Sequence, residues 1–335
     1  MNIDGGKAGL WDGFSIYIQQ EIVYGQALNS NRDGTLFPVN TALAFPRLGG
    51  RDYDTSFYVS QSFGPKFAVS VGKFNMLDFA SLTPIAGGGG LDTFMNTALA
   101  APISGVTPPY LLGAIATYKT SPAIFTLMVY DPRNAQSSAV LRDPFADGVT
   151  TSLSVTFPVT IAGLQGFYGV RGVYSTKAGI DLANPVVGNL PPESGNILQR
   201  EGYKYGQITV QQYLYQDPQR PTLGWGIFAD ASLSDGNPNP FSWRVTFGLG
   251  GNNLSPGRER DRWGIGYFKY ELSSDLLKNL NLLGIRRKGE SGVEAYYNMA
   301  VTPWFRLSAG VQWIDPFISA EKNTVIGTLR AQFRL

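Results

Sequence analysis

The chain has 335 residues, a formal net charge of +2 and neither cysteine nor histidine. That composition excludes a disulfide framework, thiolate chemistry, a Ser-His triad and imidazole metal ligands, and the small charge argues against a nucleic-acid partner. Glycine is frequent at 40 residues, aromatics reach 13%, and mean hydropathy is near zero at -0.07. No apolar run reaches the ~18 residues of a membrane helix. No charged-then-apolar leader opens the chain at Met1, so an exported protein is expected to have lost its leader. Near-zero hydropathy is compatible with a membrane barrel, where lipid-facing and lumen-facing residues alternate and cancel in any window.

In chain order, Leu10 to Tyr24 reads LWDGFSIYIQQEIVY, with Phe14, Ile16, Ile18, Ile22 and Tyr24 alternating with Ser15, Tyr17, Gln19 and Glu21. Period two is the signature of a strand. Residues 25–50 follow as a polar, Gly/Pro-punctuated loop with a short helix expected near PVNTALAFP. Tyr53 to Phe63 and Phe67 to Met76 are two strands about a tight turn at Gly64-Pro65-Lys66, and residues 78–108 form a second long loop. Strands are then expected at Tyr110 to Lys119, Ile124 to Tyr130, Val149 to Phe157, Leu164 to Tyr174, Tyr203 to Tyr215 and Leu223 to Leu233. Their turns fall at Thr120-Ser121-Pro122, at Pro158 and near Pro218 and Pro221, with longer loops at 132–147 and 176–201. Trp243 to Leu249, Trp263 to Tyr270, Val293 to Val301 and Phe305 to Ile314 continue the series, and residues 273–290 read as a short helix or as two further strands.

The last stretch, TVIGTLRAQFRL, is the plainest. Val325, Gly327, Leu329, Ala331, Phe333 and Leu335 share one face; Ile326, Thr328, Arg330, Gln332 and Arg334 share the other. Meander order, with tight turns at one end and long loops at the other, is the wiring of an outer-membrane barrel. The expected fold is all-β: one transmembrane antiparallel up-and-down β-barrel over residues 1–335, with short periplasmic turns and long extracellular loops. Loops 25–50 and 78–108 are long enough to fold into the lumen.

A Lys or Arg facing lipid at the midplane costs ~2–4 kcal/mol, against little in the lumen. Parity therefore turns Glu21, Arg171, Arg244, Glu294, Tyr296, Arg306, Arg330 and Arg334 inward as candidate channel-lining residues. Arg51 and Lys73 join them as candidate constriction residues near the loops. Arginine forks and carboxylates can exchange with the water shell of a hydroxyl-rich solute, and Tyr17 and Tyr296 offer faces to sugar rings. Aromatics at strand ends (Tyr24, Tyr53, Phe63, Phe157, Trp304, Phe305, Trp313) fit interfacial girdles.

With the strands placed, the sequence resembles the OprB-type carbohydrate-selective porins. LWDGFSIYIQQEIVYG looks like that family's first strand, SVGKFNMLD its third strand and following loop, and GRERDRWGIGYFKYELS a late Gly/Arg/Asp segment. VEAYYNMAVTPWFRLSAGVQWIDP is similar to its penultimate hairpin, and GTLRAQFRL to its final strand. The resemblance implies about 16 strands within a 14–18 range, whereas pattern alone counts about 14.

The resemblance also implies a passive channel in the bacterial outer membrane for sugars. Outer-membrane lipid and lipopolysaccharide are the expected surroundings, and a homo-oligomer is compatible. No cofactor, metal or catalysis is expected. The alternatives are a channel for aromatic or other small organic solutes on the same scaffold, an outer-membrane hydrolase using a carboxylate pair, and a soluble β-sandwich binding module.

Overall fold

The computed structural model describes residues 1–25, 34–45, 51–87, 91–136, 141–184 and 198–334. Within them, a 15-stranded sheet runs in sequence order with every neighbouring pair antiparallel. The strands are β1 (Asn2–Asp4), β2 (Phe14–Ile22), β3 (Tyr53–Phe63), β4 (Phe67–Asn75), β5 (Tyr110–Lys119), β6 (Ile124–Tyr130), β7 (Thr150–Ile161) and β8 (Leu164–Ile180). They continue as β9 (Gln199–Gln216), β10 (Gly224–Ser234), β11 (Phe241–Asn252), β12 (Arg262–Leu272), β13 (Glu290–Ala300), β14 (Phe305–Asp315) and β15 (Thr324–Phe333). Among the described residues no ladder joins β15 back to β1.

Period-two patterning decides the faces. On β15, Val325, Leu329 and Phe333 are 67%, 76% and 64% exposed, while Ile326 is buried against Val39 and Ile314. The same parity exposes Phe247, Ile265, Val311 and Trp313 and buries Arg244, Glu294, Asn298 and Gln312. Apolar side chains outside and polar ones inside invert a water-soluble globule, and hydrocarbon is the solvent that makes this arrangement stable. Trp304, Phe305 and Phe333 stack together at the tight-turn end, with Tyr24, Tyr53 and Trp313 exposed toward the other.

One expectation is corrected, one open choice is decided and one strand is added. Residues 273–290 hold no strand pair; Ser274–Leu282 is a helix, capped by the Ser273 side chain, which accepts from Leu276 N, and followed by Gly284 at φ 73°. A polar cap before Leu276, Leu277 and Leu280, with a glycine beyond, is a helix start and stop that outweighs strand pairing there. Secondly, Pro158 lies inside β7, and the chain turns at Ala162 and Gly163 with φ 50° and 80°. The proline is tolerated because the last β6 partner is Thr156, so beyond it β7 has only β8 to bond. Thirdly, β1 is a three-residue strand paired to β2, too short to show a period in sequence. The count of 15 lies within the expected 14–18.

Two inter-strand segments turn into the sheet's concave face. Residues 34–45 carry the short helix α1 (Thr41–Ala44). Residues 76–109 carry α2 (Met76–Ser81) and α3 (Thr97–Ala100). The parts of the long loops at 26–33, 46–50 and 88–90, and residues 185–197 between β8 and β9, lie outside the described residues.

Candidate functional site

Buried polar side chains on β9 and on β12 to β14 hold the backbone of the inner segments. The Glu294 carboxylate accepts Met95 N at 2.7 Å and Asn96 N at 2.9 Å. Glu290 takes Phe37 N at 3.1 Å and also Leu36 N. Gln312 donates to Val39 O at 2.8 Å and accepts from Asn96 Nδ2 at 3.1 Å, so one side chain joins both inner segments. Gln211 accepts Ile85 N at 2.8 Å, and Arg262 donates to Pro84 O at 3.2 Å and Ile85 O at 3.1 Å. Each backbone group so held would otherwise be a buried, unpaired polar atom, which costs ~1–3 kcal/mol.

The same wall is shaped by missing side chains. Gly264 and Gly266 face inward on β12, and an added Cβ would lie 3.1 Å from the Phe94 ring at the first and 3.0 Å from both Phe94 and Leu99 at the second. Inward Gly248 and Gly250 on β11 continue the bed. Phe94 fills the space, meeting Tyr296 edge-on at 4.9 Å and Phe228 at 5.5 Å. Phe37, Ile85, Ala98, Leu99, Ala100, Tyr213, Phe268 and Tyr270 complete this cluster. It lies on the inner face, between strand and loop, where a soluble barrel would have its core.

The candidate lining residues fall into several settings. Glu294, Arg330 and Arg334 serve the inner segments: Arg330 donates to Thr93 O at 3.3 Å, and Arg334 pairs with Asp92. Arg171 donates to Thr107 Oγ1 and Ser152 Oγ, both at 2.8 Å. Tyr296 is buried beneath Phe94, and Arg244 is buried with Asp230 at 2.5 Å, Tyr205 OH at 3.0 Å and the Tyr270 ring. Glu21 accepts from Tyr110 OH at 2.8 Å beside the buried Lys73–Asp54 pair at 2.7 Å. Lys73, Phe74 and Asn75 are all buried, while the pairing register runs on through Gly72 without a shift. Arg306 is half-buried, donating to Asn298 Oδ1 at 3.2 Å and Arg260 O at 3.3 Å. Arg51 is exposed and donates to the hydroxyl of outward-facing Tyr53 at 2.6 Å, which sets it apart from the others. Tyr17 stacks on Tyr58 at 4.8 Å, and its hydroxyl reaches Gln19 and Asp78. Burial pushes the Asp78 carboxyl up, against the opposing hydrogen bonds from Gln19 and Tyr17.

The sequence model of the OprB family, carbohydrate-selective porins, matches residues 1–335. The chain belongs to the OprB family. It is an outer-membrane channel for small solutes, seated in the bacterial outer membrane. Its fold is similar to that of Pseudomonas putida OprB at high pH, with TM-score 0.80 and 17% identity over 99% of this chain and 85% of that one. The Acinetobacter baumannii outer membrane channel DcaP aligns with TM-score 0.51 and 11% identity over 96% and 97%. Pseudomonas aeruginosa OccK11 (OpdR) aligns with TM-score 0.50 and 9% identity over 97% and 78%. At such identities the likeness speaks for the barrel alone. Among curated proteins none matches the chain.

In this OprB-family porin the residues that parity alone could not single out are the fasteners Glu290, Gln312, Gln211 and Arg262, and the glycine bed. A signal was present: inward glycines at period two in FGLGG and GIG mark where another segment lies against the wall. The opposite arc is different. There the inward side chains on β5 to β7 include half-buried Thr117, Thr126, Ser154 and Thr156, beside buried Ile115, Met128 and Tyr130. The half-buried ones are small, uncharged and hydroxylated, and they face the lumen left beside the inner segments.

Proposed function

We propose that this porin passes mono- and small oligosaccharides by passive diffusion, with no chemical step. Residues 1–335 act as one barrel domain whose inner segments narrow the lumen. The observation that carries the reading is the match to the carbohydrate-selective family over residues 1–335. The lumen chemistry agrees with it. Charges on the covered wall are engaged with backbone or with each other, and the open wall offers hydroxyls that both donate and accept, as a sugar does. Arg171, Arg306, Arg330 and Arg334 set the field along the passage, the barrel sits among lipopolysaccharide and phospholipid, and homo-oligomeric assembly belongs to the same proposal.

Liposome swelling with a panel of sugars, organic acids and amino acids, beside planar-bilayer conductance, tests it. Faster swelling with neutral sugars than with charged solutes of the same size is expected, and the sugars are recovered chemically unchanged. Absence of both solute-dependent swelling and conductance would overturn the channel for these solutes, and preference for organic acids would overturn the sugar reading.

A further inference from the structure

The outward face has a gap in its apolar cover. On β8 and β9 the directly paired Gly172 and Gly206 point away from the lumen, opposite in parity to buried Val173 and Tyr205, and a Cβ added at either would meet nothing within 4 Å. Exposed Leu153 on β7, the partner of Gly172, and exposed Leu233 on β10, the partner of Gly206, stand on either side. The result is a groove of about 570 Å³ across four strands. Toward the tight turns, exposed Val170 and Ile208 continue the apolar face below it. At the long-loop end the next outward row is Thr151, Tyr174 and Lys204, with Asp235 just past the end of β10. The Asp235 carboxylate accepts Lys204 N at 2.7 Å. The Lys204 side chain is exposed, and among the described residues its ammonium has no hydrogen-bond or ion-pair partner. Trp243, the cross-strand partner of Leu233, carries Lys269 Nζ 5.5 Å over its ring, and Lys269 lies 3.9 Å from Glu271. Tyr, Trp and Lys gathered at one level mark the boundary between hydrocarbon and headgroups.

We propose that this groove seats one lipopolysaccharide molecule of the outer leaflet, with an acyl chain lying over Gly172 and Gly206 and a phosphate of its headgroup on Lys204. The inference rests on the membrane setting of the barrel and is independent of the sugar reading. Three observations select the occupant. Neighbouring strands stand about 4.8 Å apart, so two bare positions side by side leave a slot about 10 Å wide between the two leucines. Left empty in a bilayer, such a slot forfeits dispersion contacts on its floor and walls, and a flexible hydrocarbon chain restores them. The polar end of the groove lies on the long-loop side, which is extracellular, and there the phosphate-bearing lipid is lipopolysaccharide. Lys204 at that end is a cation without a protein counter-ion, placed at headgroup level above the chain that fills the slot.

The test is the amount of lipopolysaccharide retained per porin chain after detergent washing, read by native mass spectrometry on wild type and variants reconstituted with purified lipopolysaccharide. The wild type is expected to keep one molecule. The double variant Gly172→Leu, Gly206→Leu fills the slot with side chains for which the structure leaves room, and should cut retention roughly tenfold or more. Lys204→Gln should cut it roughly three- to tenfold, and most at low salt. Gly327→Leu, at an open outward glycine on β15, is the control with wild-type retention. Heat-modified gel mobility reports folding, and Lys204→Gln, at an exposed side chain, covers the case in which the double variant fails to fold. Unchanged retention in the folded double variant or, should that not fold, in Lys204→Gln would overturn the seat. A wild type that keeps no lipopolysaccharide, or keeps phosphatidylglycerol equally well, would overturn it too. A smaller oligomer in the double variant with lipopolysaccharide retention unchanged would give the groove to a second copy of the chain and overturn the lipid. Sugar-dependent swelling is expected to be the same in all of these variants.

Discussion

The two halves of the lumen wall are built from the same alternating pattern and put it to different uses. On β11 to β15 the inward positions carry glycines, two glutamates, glutamines and arginines, and the inner segments cover them. On β5 to β7 they mix half-buried threonine and serine (Thr117, Thr126, Ser154, Thr156) with buried Ile115, Met128, Tyr130 and Ser152, so only part of this wall is left bare. An inward charge is therefore not by itself a lining charge. Glu294 faces the lumen by parity and yet spends both carboxylate oxygens on the backbone of residues 95 and 96. In the proposed reading the covered residues set how wide the passage is, and the bare ones set what the passing solute touches.

That division can be broken deliberately. The largest effect is expected from Gly266→Leu. Its side chain would occupy the space of Leu99 and Phe94, and overpacking costs ~1–3 kcal/mol. Since a docked segment can lift off more easily than a ladder can part, this should shift the docked state toward the undocked by roughly 5- to 150-fold. Single-channel conductance should rise and discrimination among sugars by size should fall; unchanged conductance would mean that the segment does not narrow the passage.

Glu294→Ala should act in the same direction and less strongly. It strands Met95 N and Asn96 N in a buried site, at ~1–3 kcal/mol each, although water admitted to the vacated space can satisfy part of that loss. Flickering conductance and new proteolytic cleavage near residue 95 are the readouts. Cleavage resistance equal to the wild type would show that the other fasteners suffice.

The smallest effect is expected from Arg306→Ala, which removes a half-buried cation that holds no inner segment. Its influence is electrostatic and falls off within the ~10 Å Debye length at 0.1 M salt. Reversal potentials in a salt gradient should move modestly away from anion preference, with sugar passage unchanged. No movement at low salt would take Arg306 out of the passage.

Much of this is legible in the sequence alone. TVIGTLRAQFRL displays its two faces residue by residue, and the hairpins at 53–76 and 110–130 follow from the same alternation and their turn residues. Where the reading failed, a local signal met a tertiary condition. Pro158 looks like a turn because proline cannot donate to a ladder, but it stands where β6 has already ended. The segment after Leu272 leaves helix and strand pair both open in sequence, and the Ser273 cap makes it the helix. Glu290 and Glu294 were equivalent inward carboxylates on paper; which backbone amides they meet depends on how loops far off in sequence come to rest.

By itself the sequence determined the strands, their inward and outward faces and the solvent each face meets, because period two is a property of the extended backbone and the cost of charge in hydrocarbon is local to each residue. Only the tertiary structure decided which inward residues are covered and which stay bare. That depends on long-range contacts, such as Phe94 over Gly266 and Ile85 at Gln211, which no spacing within a strand encodes.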